Sequence, residues 1–261
     1  MILKVRLAKS FYPLMLLLWV VTLCAVNAHS SLELPALQKG EQLIQHHGFS
    51  LVYSEKDEQA KWVAYTLTPE KANSKVANRE KESFRKDPLI LTGSAEDKDY
   101  KKSGYSRGHL CPANDNTWSP EAMRDCFYFS NMSPQLQDFN NGVWKDLELY
   151  VHDLATQYDT LYIATGPVLK SKKALKTIGK NEVSVPDYFF KVIMVYGKEP
   201  KAIGYIIPQV GFGKDFQAYA CSVDEVEKVT GVDFFAFVDE YLQRIFEQQI
   251  SELYSVIKPE Q

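Results

Sequence analysis

Short runs of β-branched and aromatic residues, arranged as near neighbours along the chain, constrain its fold more than any other feature. Phe49-Ser-Leu-Val-Tyr53 is followed closely by Lys61-Trp-Val-Ala-Tyr-Thr-Leu67, and Tyr188–Tyr196 by Ala202–Ile207, with Thr160–Leu169 between the two pairs. Such runs read as strands. Helical spacing is confined to two places. From Asn140 onward, Val143, Trp144, Leu147, Tyr150, Val151 and Leu154 recur at three and four, and a long amphipathic stretch runs from Phe234 to Ile257. Strand next to strand, with helices set apart, predicts an α+β fold in preference to a doubly wound sheet. The 261 residues are 45% hydrophobic, enough for a substantial core, and no repeat or low-complexity linker divides them, so one domain is expected over residues 31–261.

Residues 1–28 stand apart. Lys4, Arg6 and Lys9 precede the apolar run Pro13–Val26, and Val26 and Ala28 are small residues placed for cleavage, the pattern of a secretory signal peptide. The run falls short of the roughly 20 apolar residues of a spanning helix, so an exported product, periplasmic or secreted, is expected. Loss of this leader leaves 27 basic against 33 acidic residues, a net charge of −6, which excludes a globally basic nucleic-acid binder. A local basic groove is still allowed, because phosphate attraction follows the nearby field. Cys111, Cys126 and Cys221 remain; two could pair in an oxidising compartment, or all three could be buried thiols.

The segment Tyr105-Ser-Arg-Gly-His-Leu-Cys-Pro-Ala-Asn-Asp115 places Arg107 and His109 two apart, on one face if the segment is extended. A permanent cation beside a histidine disfavours the imidazolium and keeps the ring able to accept a proton. Arginine is also suited to bidentate contact with phosphate. Gly108 lets the backbone approach closely between the two, and Pro112 helps keep the segment extended. The apolar run Cys126–Ser130 reads as a second strand ahead of the helix. Asn140 lies near the helix start, where it would also serve as an N-cap. Glu148, eight residues on, falls roughly 80° round the axis from it, so both can address one side. His46 and His47 are expected at the surface, and His152 in helix packing or facing solvent. A zinc set from His109, Cys111 and Cys126 lacks the usual Cys-x-x-Cys pair.

Taken in order, Ser106-Arg-Gly-His109, then Cys126-Phe-Tyr-Phe-Ser-Asn-Met-Ser-Pro-Gln135, then Phe139-Asn-Asn-Gly-Val-Trp-Lys-Asp-Leu-Glu148 resemble the signature of the DNA/RNA non-specific endonucleases. These are the ββα-metal, or His-Me finger, nucleases. The likeness spans residues 50 to 246 and implies a central, mainly antiparallel sheet flanked by helices. It implies His109 as the general base that activates water and Asn140 as the direct protein ligand of magnesium, with manganese or another divalent ion able to substitute. Glu148 would act through a metal-bound water. Arg107 and Asn131 would hold the site or the phosphate, and of the upstream arginines Arg79 and Arg85 the phosphate contact is placed on Arg79. Ser106 stands where many members carry aspartate, and no role is implied for it. The implied partners are DNA and RNA, with a homodimer allowed and no stable membrane association once the leader is gone. The leading expectation is thus an exported magnesium-dependent endonuclease with little sequence preference. Two others fit the same residues: a catalytically weak nucleic-acid-binding protein on the same fold, and a phosphodiesterase for another substrate.

Overall fold

The computed structural model describes residues 32–171, 173–210 and 215–253; the expected leader and the end of the expected C-terminal helix lie outside them. Strands β1 (Leu43–Gln45), β2 (Ser50–Ser54), β3 (Gln59–Leu67), β6 (Leu161–Pro167), β9 (Tyr188–Val195), β10 (Lys201–Pro208) and β11 (Ala220–Cys221) form one seven-stranded sheet in that spatial order. Two small ribbons stand apart, β4 (Ser106–His109) with β5 (Met132–Gln135) and β7 (Lys176–Ile178) with β8 (Val183–Val185). Every one of these pairings is antiparallel. The fold is therefore α+β, with the strands expected for the large sheet in place.

Alternation along the central strands gives the sheet two apolar faces. Val63, Tyr65, Leu67, Ile163, Phe189, Ile193, Ile203 and Tyr205 face one layer, whereas Trp62, Ala64, Ala164, Phe190, Val192, Met194 and Ala202 face the other. Side chains of a strand point alternately to opposite sides, so a strand apolar at every position must be covered twice. The first face is covered by α4 (Gln137–Asn141) and α5 (Val143–Leu154), the second by α6 (Val223–Thr230) and α7 (Glu240–Phe246). Trp144, Leu147, Val151 and Leu154 form the buried stripe of α5, and Phe139, Trp144 and Phe189 pack ring against ring where that layer meets the sheet. The excursion between β3 and β6, adjacent strands of the sheet, includes α1 (Pro69–Asn73), α2 (Asp97–Tyr100), α3 (Pro120–Asp125), β4, β5, α4 and α5.

Three expectations are corrected. The second strand of the β4–β5 pair is Met132–Gln135, not the apolar run Cys126–Ser130, which ends α3 and passes into a short 3-10 turn, Phe129–Asn131. The helix expected from Asn140 is two helices, because Gly142 (φ −103°, ψ −117°) breaks it and caps α5. A Cβ at Gly142 would lie 2.6 Å from the Asp138 carbonyl oxygen. The long helix expected from Phe234 shrinks to Glu240–Phe246 within the described residues: Phe235 sits at φ +53°, and the Asp239 side chain caps a new start. Phe234 and Phe235 are fully buried, so their packing under the sheet decides the backbone there.

Candidate active site

β4 places its side chains through pairing with β5, in the register Arg107↔Pro134, Gly108↔Ser133 and His109↔Met132. Arg107 and His109 line one cavity together with Arg79, Phe84, Asp115, Asn140, Lys145 and Glu148. Gly108 points the other way, onto the buried side chain of Gln135, where an added Cβ would lie 2.1 Å from Oε1. The glycine is required by that approach, on the face away from the functional side chains.

The His109 ring is held between Phe127 (5.0 Å between centroids) and Phe84 (5.7 Å). Its Nε2 is buried with no hydrogen-bond partner. Burial first, then the charges of Arg79 and Arg107, push the imidazole down to about 3, so the ring is neutral throughout the physiological range. The sequence pointed to Arg107 as the cause of that neutrality; burial outweighs it, and Arg79 precedes it. Arg107 stacks its guanidinium 4.3 Å from the Phe84 ring centre and pairs with Asp97 at the solvent edge.

Arg79 lies in a 3-10 turn, Arg79–Lys81, capped by the Asn78 side chain. It has no carboxylate partner among the described residues, and its guanidinium is 6.0 Å from the Phe127 ring centre. The other upstream arginine, Arg85, is engaged by Glu82 and the Ser83 carbonyl and is not among the cavity residues.

Asn140 is the penultimate residue of α4 and Glu148 lies in the second turn of α5, so the continuous-helix geometry used to relate them does not apply; both nevertheless line the cavity. Glu148 Oε1 is buried without a partner. Desolvation pushes this carboxyl up to about 8, with Asp115 adding to the rise and Lys191, Trp144 and Arg79 opposing it. An unpartnered carboxylate oxygen beside an asparagine amide is an all-oxygen donor set, the kind a hard divalent cation takes with few protein ligands and several waters. The residues present therefore fit such an ion. The zinc alternative does not assemble, since among the described residues His109, Cys111 and Cys126 do not gather their ligand atoms; Cys111, Cys126 and Cys221 are free thiols.

Asn131 does not line the cavity. It is fully buried, accepting from the Cys111 N–H at 2.9 Å and donating to the carbonyls of Cys111 and Cys126, each at 2.9 Å. Its place is under the loop that leaves His109, where its amide is taken up by backbone groups. Ser106 donates to Gln137 Oε1 at 2.6 Å, tying β4 to α4.

Two buried charged groups, Asp115 in the cavity lining and Lys191 outside it, went unread in the sequence. Asp115 accepts from Tyr65 Oη at 3.1 Å and pairs with His152 Nδ1 at 2.8 Å, which also explains His152. Lys191 on β9 is fully buried with an unpartnered Nζ, 5.1 Å from the Trp144 ring centre, and burial lowers its pKa. Its signal was available, a lysine at an inward position of an apolar strand; Asp115 had none, since its partners are distant in sequence. His46 is also corrected: its side chain is 4% exposed and bonds Asp87 at 2.8 Å, while His47 is 60% exposed.

The model of the DNA/RNA non-specific endonuclease family matches residues 31–240. The mitochondrial nuclease EXOG of Xenopus laevis is 34% identical over 215 residues, covering 77% of this chain and 60% of that protein. Human mitochondrial endonuclease G is 31% identical, covering 74% of this chain and 69% of its own length. A nuclease of Nostoc sp. is 32% identical over 80% of this chain and 78% of its own. The chain thus spans less than two thirds of the length of the EXOG protein and more of the other two. Among solved structures, EndoG in its complex with the inhibitor EndoGI superposes with a TM-score of 0.73 at 28% identity, covering 79% of this chain and 89% of that one.

Proposed function

The chain belongs to the DNA/RNA non-specific endonuclease family, and from that membership we propose that it is a magnesium-dependent endonuclease hydrolysing phosphodiester bonds of DNA and RNA with little sequence preference. The observation that carries the reading is the convergence of a neutral histidine, two arginines, an asparagine amide and an unpartnered carboxylate on one cavity.

Arg79 and Arg107 take the phosphate oxygens, contacts that carry no base information and so allow many sequences. His109 accepts the proton of the attacking water as its oxygen bonds to phosphorus and the bond to the leaving sugar oxygen breaks. A ring held near 3 is a weak base in the free protein. A phosphodiester anion engaging Arg79 and Arg107 would offset the charge part of that depression, burial being the larger part. Asn140 and Glu148 would hold the cation. When bound, magnesium, or manganese in its place, supplies positive charge opposite that growing on the phosphate and leaving oxygen. Asn140 is neutral and leaves that charge uncancelled. Asn131 holds the His109 loop in register.

We propose further that residues 31–261 form the endonuclease domain and that residues 1–28 direct export to a periplasmic or secreted location. An apolar run with three basic residues ahead of it is unlike an arginine-rich amphipathic transit segment.

Incubation of the chain with supercoiled plasmid and with RNA, with magnesium and with EDTA, tests the reading. Nicking and RNA loss are expected only with the ion, and His109→Ala is expected to fall by roughly 10²- to 10⁴-fold, the usual worth of a general base. Full metal-dependent cleavage by His109→Ala would remove His109 from the reaction.

A further inference from the structure

Far from the cavity, on the other face of the sheet, a second group of acids meets where α6 begins and α7 ends. Asp224 lies in the first turn of α6, Glu227 three residues on along the same side, and Glu247 caps the C-terminus of α7. The two helices are joined there by Asp224 N–H donating to the Glu247 carbonyl at 3.1 Å. One carboxylate oxygen from each of Asp224, Glu227 and Glu247 lies within 4.8 Å of the other two.

Acids cluster on many surfaces without consequence, but Glu247 is not on the surface. It is 7% exposed, and its Oε1 is buried with no hydrogen-bond partner. The carboxylates gathered with it, Asp224 and Glu227, carry the same sign of charge. A buried carboxylate with only like charges for neighbours must be neutralised by a proton or a cation. Glu227 already uses Oε1 to accept from the Phe234 N–H at 2.7 Å, which fixes its carboxylate in place. Three carboxylates on one ion suit calcium, which takes six to eight oxygens and accepts several carboxylates, whereas magnesium keeps most of its waters. Asp224 is exposed, leaving room for waters to complete the shell.

We propose that Asp224, Glu227 and Glu247 bind one calcium ion that fastens the end of α7 to the start of α6, separately from the ion of the catalytic cavity. The three carboxylates meet the hard cation with oxygen alone.

The test uses the full chain carrying Asn140→Ala, which weakens the cavity's own ion site, after stripping with EDTA. Calcium chloride is then followed by calorimetry and by thermal melting. One ion per chain is expected, with a rise of about 5 to 10 °C in the melting midpoint at a concentration a hundredfold above Kd. Adding Glu247→Gln should abolish both the heat and the rise while melting no lower than its parent in EDTA, since an amide relieves the like-charge crowding. Asp224→Asn, an exposed change that leaves folding intact, should weaken binding by about tenfold or more. Absence of heat and an unmoved midpoint in the Asn140→Ala chain, or a full rise retained by both variants, would overturn the proposal. No substrate enters the measurement, so failure of the nuclease reading leaves this one standing, and the reverse.

Discussion

Replacing Asn131 with alanine separates a residue that holds the site from one that performs the reaction. Its amide makes three hydrogen bonds, all at 2.9 Å and all to backbone groups on either side of the His109 loop. Alanine leaves the Cys111 N–H and the carbonyls of Cys111 and Cys126 without those partners in a fully buried place. A buried group so orphaned costs roughly 1 to 3 kcal/mol. Carbonyls tolerate this better than an N–H, so the total is placed at about 3 to 5 kcal/mol. For a domain of this size each kcal/mol moves the midpoint by about 2 to 4 °C, which predicts a fall of roughly 10 °C or more. Thermal melting by circular dichroism reads the midpoint, and plasmid nicking well below it reads the activity of the folded fraction. A midpoint equal to wild type together with lost nicking would refute the reasoning, because Asn131 would then be acting on the phosphate and not on the loop.

Gly108→Ala drives a methyl to within 2.1 Å of Gln135 Oε1, so destabilisation of about 1 to 3 kcal/mol in urea unfolding is expected, as for other overpacked sites; adding Gln135→Ala should recover most of it, and no recovery would mean the cost lies in the backbone of β4. His109 makes folding depend on acid in a defined direction. The unfolded chain takes up this proton near 6.5, the folded one only near 3, so stability is lost as pH falls from about 6.5 toward 3. His109→Gln should flatten the melting midpoint against pH across that window, and an unchanged slope would contradict the buried, neutral ring. Glu148, pushed up to about 8, must lose its proton to hold a cation, so magnesium affinity should rise with pH through the neutral range and level off above it. Glu148→Gln should remove that rise; a pH dependence kept by the variant would assign it to another group.

The strands were legible because alternation over a packed sheet is a local signal. Lys61–Leu67, Tyr188–Tyr196 and Ala202–Ile207 fall on β3, β9 and β10 almost residue for residue. Cys126–Ser130 misled because an apolar run is the same whether it forms a strand or fills a core from a turn; the true partner of β4 carries Pro134, which reads as a breaker. The C-terminal helix was overextended for a related reason. Phe234 and Phe235 have helical spacing with the residues C-terminal to them, yet their rings are drawn beneath the sheet by contacts such as Phe190 with Phe234 that no local pattern reports. At the site, the residues that meet the cavity are spread from Arg79 to Glu148 and come together only through the β4–β5 register and the break at Gly142. The chemistry of each was readable from its type. Burial of His109 and Glu148, which sets their protonation, was not, because it depends on Phe84, Phe127 and Lys191 arriving from three other parts of the chain.

The claim at the centre is a division of labour, a neutral His109 moving the proton while Asn140 helps hold the cation. Single-turnover cleavage of plasmid measured across a magnesium series, in wild type, His109→Ala and Asn140→Ala, tests it directly. His109→Ala should lose rate at every magnesium concentration with the half-saturation point unmoved, and Asn140→Ala should shift that point to higher magnesium. A shift in the first variant without loss of rate, or an unmoved point in the second, would contradict the account.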